Sequence, residues 1–256
     1  MKHYKTIIFD LFNTVVLWEP RKIPTFIYED REFRSTNMAT YQTLGKYRKL
    51  VSFPEYHRAC QTVTAQLTEK KKQSTKEISS LDRFSSILKS LDFIDAETAN
   101  VLAKKIVSTH MGILTAATFI PKAHIFELRR LHLEYQIGLL SNFDDSQTVK
   151  RILESAEIDQ FFKSTVVSEK IGVRKPSQKI FAISLSELNA DPEETLFVGD
   201  SWEEDIVGAM DIGMDAIWIN ADRHKIPTPK GSLCTESSVR CLPSITELSH
   251  FLQNLA

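Results

Sequence analysis

The 256-residue chain is 42% hydrophobic and 25% charged, with a formal net charge of −1, an ordinary balance for a soluble globular protein. That charge argues against nucleic acid or an acidic membrane surface as a partner, and no apolar run is long enough to span a bilayer. The length suits one core with a sizeable insertion. The three cysteines (Cys60, Cys234, Cys241) lack metal-ligand spacing and read as reduced thiols of a cytoplasmic protein, with a Cys234–Cys241 bridge disfavoured.

The first predicted strand, Thr6–Phe9, starts almost at once, so neither a signal peptide nor a transit peptide is evident. Asp10 sits where this apolar run ends, the edge at which open α/β sheets place their ligands, and the Thr14 hydroxyl can reach the same crevice. From about Trp18 to Thr118 no buried strand is expected and amphipathic helices take over. Ser52-Phe53-Pro54-Glu55 combines a capping box with proline in the first turn, and Tyr56, Cys60, Val63 and Leu67 follow on one face. Helical patterns continue over Asp82–Leu91 and Glu97–Met111. A hundred residues between two strands exceed any loop, so residues 18–118 are expected to form a helical cap domain, and 1–17 with 119–256 the core.

Beyond the insertion, short apolar runs alternate with helices. Strands are expected at Gln136–Leu140, Ser164–Val167, Thr195–Val198 and Ala216–Ile219, and helices at Gln147–Ala156 behind Ser146 and at Gln178–Leu188 behind Ser177. Asp191-Pro192-Glu193-Glu194 reads as a cap with an acidic first turn. Ile226–Gly231 reads as a surface loop before a short terminal strand and helix. Strands that are apolar throughout suit parallel pairing with both faces covered, and the βαβα alternation predicts a doubly wound α/β sheet.

Four polar features fall at strand ends or in their loops: Asp10 with Thr14, Ser141-Asn142, Lys175 in Gly172-Val173-Arg174-Lys175-Pro176, and Gly199-Asp200-Ser201 with Asp205. Parallel strands bring these to one edge, and each suits an oxyanion-bearing substrate. Asp10 can attack and form a covalent ester or acyl phosphate. The Ser141 hydroxyl can bind a non-bridging oxygen, and Lys175 offsets charge and keeps Asp10 ionised. Asp200 and Asp10 offer a hard cation two oxygens, as magnesium prefers. Asp205 either binds that metal through water or orients Lys175. Taken singly, each is ordinary turn, cap or loop chemistry; their order and placement single them out.

This set resembles the haloacid dehalogenase-like hydrolase superfamily through Asp10-Leu11-Phe12-Asn13-Thr14, Leu140-Ser141-Asn142, Val173-Arg174-Lys175-Pro176 and Val198-Gly199-Asp200-Ser201 through Asp205, and the insertion falls at that family's cap position. The resemblance implies a Rossmann-like core, Asp10 as nucleophile and, for most members, Mg²⁺-dependent hydrolysis of phosphate esters. It also implies that Thr14 and Ser141 contact the transferring group, that Lys175 is the motif lysine, and that Asp200 and the backbone carbonyl of Phe12 join Asp10 at the metal. Asn142 is grouped with the substrate-binding residues.

One position departs from the pattern. Family phosphatases carry a second aspartate two residues after the nucleophile as general acid and base, and here that residue is Phe12. An aromatic residue there is similar to the metal-independent 2-haloacid dehalogenases, whereas Gly199-Asp200 is similar to the magnesium-binding phosphatases. Three functions are therefore expected: foremost a magnesium-dependent hydrolase of small phosphorylated metabolites, and behind it, equally weighted, a dehalogenase and a phosphate-binding or regulatory module without turnover. A good leaving group, as in an acyl phosphate, reconciles Phe12 with Asp200. A phosphonate would also need a Schiff-base lysine such as Lys46, Lys49 or Lys70. The protein is expected to be a monomer or homodimer acting on a small-molecule substrate. His57, His110, His124 and His132 read as packing or surface residues, Trp18 and Trp202 as possible flanks of the crevice, and Arg31 or Arg48 as candidate grips from the cap.

Overall fold

The computed structural model describes residues 4–221 and 239–254. They fold as two units, one formed by the residues up to Trp18 and from Phe119 onward, the other by Glu19–Thr118. The chain opens with β1 (Thr6–Phe9), β2 (Leu17–Trp18), β3 (Thr25–Tyr28), β4 (Arg31–Arg34), α1 (Asn37–Gln42), α2 (Phe53–Gln73), α3 (Ser80–Leu91), α4 (Ala96–Ala116) and β5 (Thr118–Phe119). It continues through α5 (Lys122–Glu134), β6 (Gln136–Ser141), α6 (Ser146–Ser155), β7 (Ser164–Val167), α7 (Ser168–Ile171) and α8 (Gln178–Leu188). The last elements are β8 (Thr195–Gly199), α9 (Gly208–Met210), β9 (Asp215–Ile219), β10 (Arg240–Leu242) and α10 (Leu248–Gln253).

Six of these strands form a parallel sheet in the order β10-β9-β8-β1-β6-β7. Every residue of β1 is buried because the sheet is covered on both faces. Ile7 and Phe9 enter one core with Leu128, Leu131, Leu139 and Val198, and Ile8 enters the other with Leu140, Phe181 and Phe197. Strand order reverses at β1, where Phe9 pairs with Leu139 on one side and Val198 on the other. That register delivers Asp10, Ser141 and Asp200 to the same C-terminal edge at a topological switch point, the usual place for a ligand in this architecture.

The other unit is built around α2, α3 and α4. The expected capping box is present: Ser52 Oγ accepts from Glu55 N, and Glu55 Oε2 accepts from Ser52 N at 2.8 Å. Tyr56, Cys60 and Val63 pack with Phe84, Ile87, Leu102 and Ile106, with Leu67 at the margin. Two features differ from expectation. The β3–β4 hairpin was not legible, because its strands are mostly exposed and its turn residues Glu29 and Asp30 hold left-handed φ values of 48° and 57° without glycine. Helix α6 is capped by Asp145, whose Oδ1 accepts from Thr148 N at 2.9 Å, so Ser146 is its first residue. Asp191 does cap a short turn before β8. The Pro/Gly loop at 226–231 and Cys234 lie outside the described residues. Among the described residues, no helix is long and apolar enough to cross a membrane.

His110, read as a packing residue, is buried in α4 against Phe84, with Thr36 Oγ1 at 2.7 Å and Arg83 Nη2 at 3.0 Å. Burial, reinforced by the Arg83 charge, pulls its imidazole down to about 3. The unfolded chain, with His near 6.5, then binds the extra proton first. Its stabilising contribution is complete above pH 6.5 and is lost as pH falls toward 3, by about 1.4 kcal/mol per pH unit well below 6.5. Urea melts at pH 7 and pH 5 should show this loss, and His110→Gln should flatten it.

Candidate active site

Lys175 organises the sheet edge. It lies in the loop before α8 and is almost wholly buried; its ammonium donates to Asp10 Oδ1 at 2.6 Å and to the Leu140 carbonyl at 2.9 Å, and forms an ion pair with Asp205 Oδ1 at 2.6 Å. Burial opposes that charge, but Asp10 and Asp205 outweigh it and hold the ammonium protonated well above its usual range. Asn142, expected at the substrate, has its side chain committed elsewhere. Its Oδ1 accepts from Lys175 N at 2.8 Å, and its Nδ2 donates to the Lys175 carbonyl at 3.1 Å and to Glu204 Oε2 at 3.0 Å. It clamps the lysine loop, and the Arg174–Glu204 pair at 2.5 Å closes the clamp from the other side.

Asp205 sits in a single π-type turn, Trp202–Val207, and its Oδ2 accepts from Ser201 N at 2.9 Å. Its Oδ1 pairs with the Lys175 ammonium at 2.6 Å and its carboxylate also lies in the acidic cluster with Asp10 and Asp200, a geometry compatible with both expected roles. This close approach explains Gly199: a Cβ there would lie 2.4 Å from Asp205 Oδ2. The sequence placed Gly199 in the fourth motif at a strand end before Asp200, and the approach of Asp205 supplies the reason for a glycine there. Trp218, which sequence reading missed, fixes Asp200 by donating from Nε1 to its carbonyl at 2.8 Å, and nothing in the sequence marked it beyond its position in the last predicted strand.

Asp10, Asp200 and Asp205 offer carboxylate oxygens that all lie within 4.8 Å of one another. Burial pushes the Asp10 carboxyl up to about 8, with Lys175 opposing and Asp205 and Asp200 adding to the rise. Burial, then Asp205, pushes Asp200 up to about 6, against the Asn13 side chain. One lysine thus faces three carboxylates, and the surplus negative charge and hard oxygen donors fit a divalent cation of the magnesium type. The Thr14 and Ser141 hydroxyl oxygens are buried with no hydrogen-bond partner among the described residues, as expected of groups reserved for a substrate.

Phe12 stacks on Trp18 with ring centroids 5.0 Å apart and meets Phe143 at 4.6 Å. Trp18, Thr14, Asn13, His124, Asp200 and Trp218 line a cavity of about 510 Å³. His124 is buried there, donating from Nδ1 to the Val15 carbonyl at 2.9 Å, so its role in this unit is to hold the loop after Asp10. Trp202, a proposed flank, is buried in the second core against Trp218. Arg48 is exposed and bonds the Gly45 carbonyl, and Lys46, Lys49 and Lys70 are exposed.

The chain is 36% identical over 99 residues to glyceraldehyde 3-phosphate phosphatase of Pyrococcus abyssi, a stretch covering 39% of this chain and 41% of that protein. It is 35% identical over 112 residues to pyrimidine 5'-nucleotidase YjjG of Escherichia coli, covering 43% and 49%. The chain thus spans about half the length of the curated relatives it matches. The crystal structure of a 2-haloacid dehalogenase from Pseudomonas syringae superposes with a TM-score of 0.71 over 99% of this chain and 100% of that one, at 18% identity, a likeness of fold. A family model described as haloacid dehalogenase-like hydrolase matches residues 4–213, and the chain belongs to that family.

Proposed function

We propose that the protein is a magnesium-dependent phosphohydrolase acting on small phosphorylated molecules through a phosphoryl ester on Asp10, with the helical unit as its substrate-selecting cap. The observation that carries this reading is the Lys175-centred cluster: Asp10 Oδ1 is pinned at 2.6 Å, and Asp200 lies close enough to share a cation with Asp10. Asp10, Asp200 and the Phe12 carbonyl would hold the ion, which when bound neutralises phosphate oxygens and lowers the carboxyl groups' affinity for protons. Because Lys175 takes Oδ1, the second Asp10 oxygen is the attacking atom. It forms a bond to phosphorus as the bond from phosphorus to the leaving oxygen breaks. Water then attacks the same phosphorus, releasing phosphate and restoring the Asp10 carboxylate. Thr14 and Ser141 supply hydroxyl donors to the transferring oxygens. Phe12 cannot give a proton to the leaving oxygen, so the preferred substrates carry a leaving group stable as an anion, such as an acyl phosphate.

The reading is supported by relatives named as phosphatases and a nucleotidase. The test is phosphate release across a panel of acyl phosphates, sugar phosphates and nucleotides, with and without magnesium. Release from at least one acyl phosphate, lost on chelation, is expected. Halide release from a short 2-haloacid, indifferent to the chelator, would establish instead the dehalogenase reading that Phe12 suggests.

A further inference from the structure

The helical unit contains a cavity of its own, about 290 Å³, near the lower bound of small-molecule sites at roughly 300 Å³. Its polar lining can be resolved into donors and acceptors. Asn37 Nδ2 has only hydrogens to give and lies 3.0 Å from His57 Nδ1, so that nitrogen accepts and the ring proton sits on Nε2. Burial lowers the proton affinity of His57, consistent with a neutral ring. Nε2–H is a buried donor with no partner among the described residues, and the His57 side chain, only 2% exposed, is part of the cavity lining. The same logic fixes His110. Arg83 Nη2 donates to its Nε2, so Nδ1 carries the hydrogen and donates to Thr36 Oγ1, which leaves the Thr36 hydroxyl hydrogen to give.

The cavity therefore presents donors. No acidic side chain lines it among the described residues, and Phe33, Phe84 and Ile87 supply apolar wall. His57 is held rigidly, stacked on Phe53 at 5.6 Å and edged by Phe26, Tyr28 and Phe33, so its N–H direction is fixed by packing. A buried donor without an acceptor is costly, and a ligand carboxylate oxygen would relieve it. We infer that this cavity is a binding site for a small monocarboxylate with a compact apolar body, its oxygens accepting from His57 Nε2 and Thr36 Oγ1 and its body lying against Phe33 and Phe84. The inference is independent of the chemistry assigned to Asp10.

Benzoate, with benzyl alcohol as its neutral counterpart, tests this on the full chain by calorimetry and by the NMR shift of the His57 ring. Benzoate should bind saturably and benzyl alcohol more weakly. His57→Phe, which keeps the ring stack but removes the N–H, should weaken benzoate at least about tenfold. Thr64→Phe, at the exposed mouth, narrows the cavity without touching a donor, should weaken benzoate similarly, and decides the matter if the first variant does not fold. Absence of saturable benzoate binding, or binding unchanged by these variants, overturns the assignment.

Discussion

Asp10→Asn should abolish phosphate release, lowering it by at least about 10⁴-fold, without loosening the fold. The substitution keeps the shape of a side chain at the tip of a strand whose four residues are all buried, and replaces a nucleophilic oxygen with an amide. Its effect on stability should be the reverse of what a structural residue would show. In the metal-free protein three carboxylates share one ammonium, and Asp10 already has a proton affinity raised to about 8 by burial. An uncharged amide is spared the cost of protonating or desolvating that carboxylate on folding, while Lys175 keeps Asp205 and the Leu140 carbonyl. Thermal melting without magnesium should therefore hold or rise, and the stabilisation by magnesium expected of the parent chain should shrink. Phosphate assay and melting curves on the same preparations check both halves. Activity surviving in the variant would remove Asp10 from the reaction.

Much of this site could be read before any coordinates because its parts are tied to backbone features that sequence records well. Thr6–Phe9 coincides with its predicted strand and Thr195–Gly199 extends its prediction by one residue, since strands buried on both faces leave largely apolar runs, and each polar motif follows such a run or opens a helix. What stayed hidden depends on contacts between distant residues. Asn142 looked like a substrate ligand because it adjoins Ser141; only the approach of the Lys175 loop, 33 residues on, shows it as a clamp. Gly199 is dictated by where Asp205 folds back, and Trp218 matters through a bond to the Asp200 carbonyl. The β3–β4 hairpin escaped for a local reason: Arg31–Arg34 is charged and mostly exposed and the turn is built from Glu29 and Asp30, so no apolar partner strand or glycine announces the pairing of Thr25–Tyr28. The histidines of the helical unit lacked metal-ligand spacing, and their meaning lies in which ring nitrogen each neighbour occupies.

Phe12→Asp should convert the site's substrate preference, and the leaving group decides by how much. A positioned carboxyl two residues after the nucleophile can protonate an alkoxide and later activate water, contributions of about 10²–10⁴ in rate. For an alkyl phosphate, whose leaving oxygen needs that proton, turnover should rise by about that range. For acetyl phosphate, whose leaving carboxylate is already a stable anion, the change should stay within about tenfold. The substitution also removes the contacts of the Phe12 ring with Trp18 at 5.0 Å and Phe143 at 4.6 Å, a loss of roughly 1–3 kcal/mol, so assays belong well below the melting temperature. Packing loss alone would slow both substrates together, whereas restored proton transfer separates them. Phe12→Ala, which loses the same ring without gaining an acid, isolates the first effect. A rise confined to the alkyl phosphate in Phe12→Asp, absent in Phe12→Ala, identifies the missing carboxyl as the reason this chain favours good leaving groups. Equal responses of the two substrates would place that preference elsewhere in the protein.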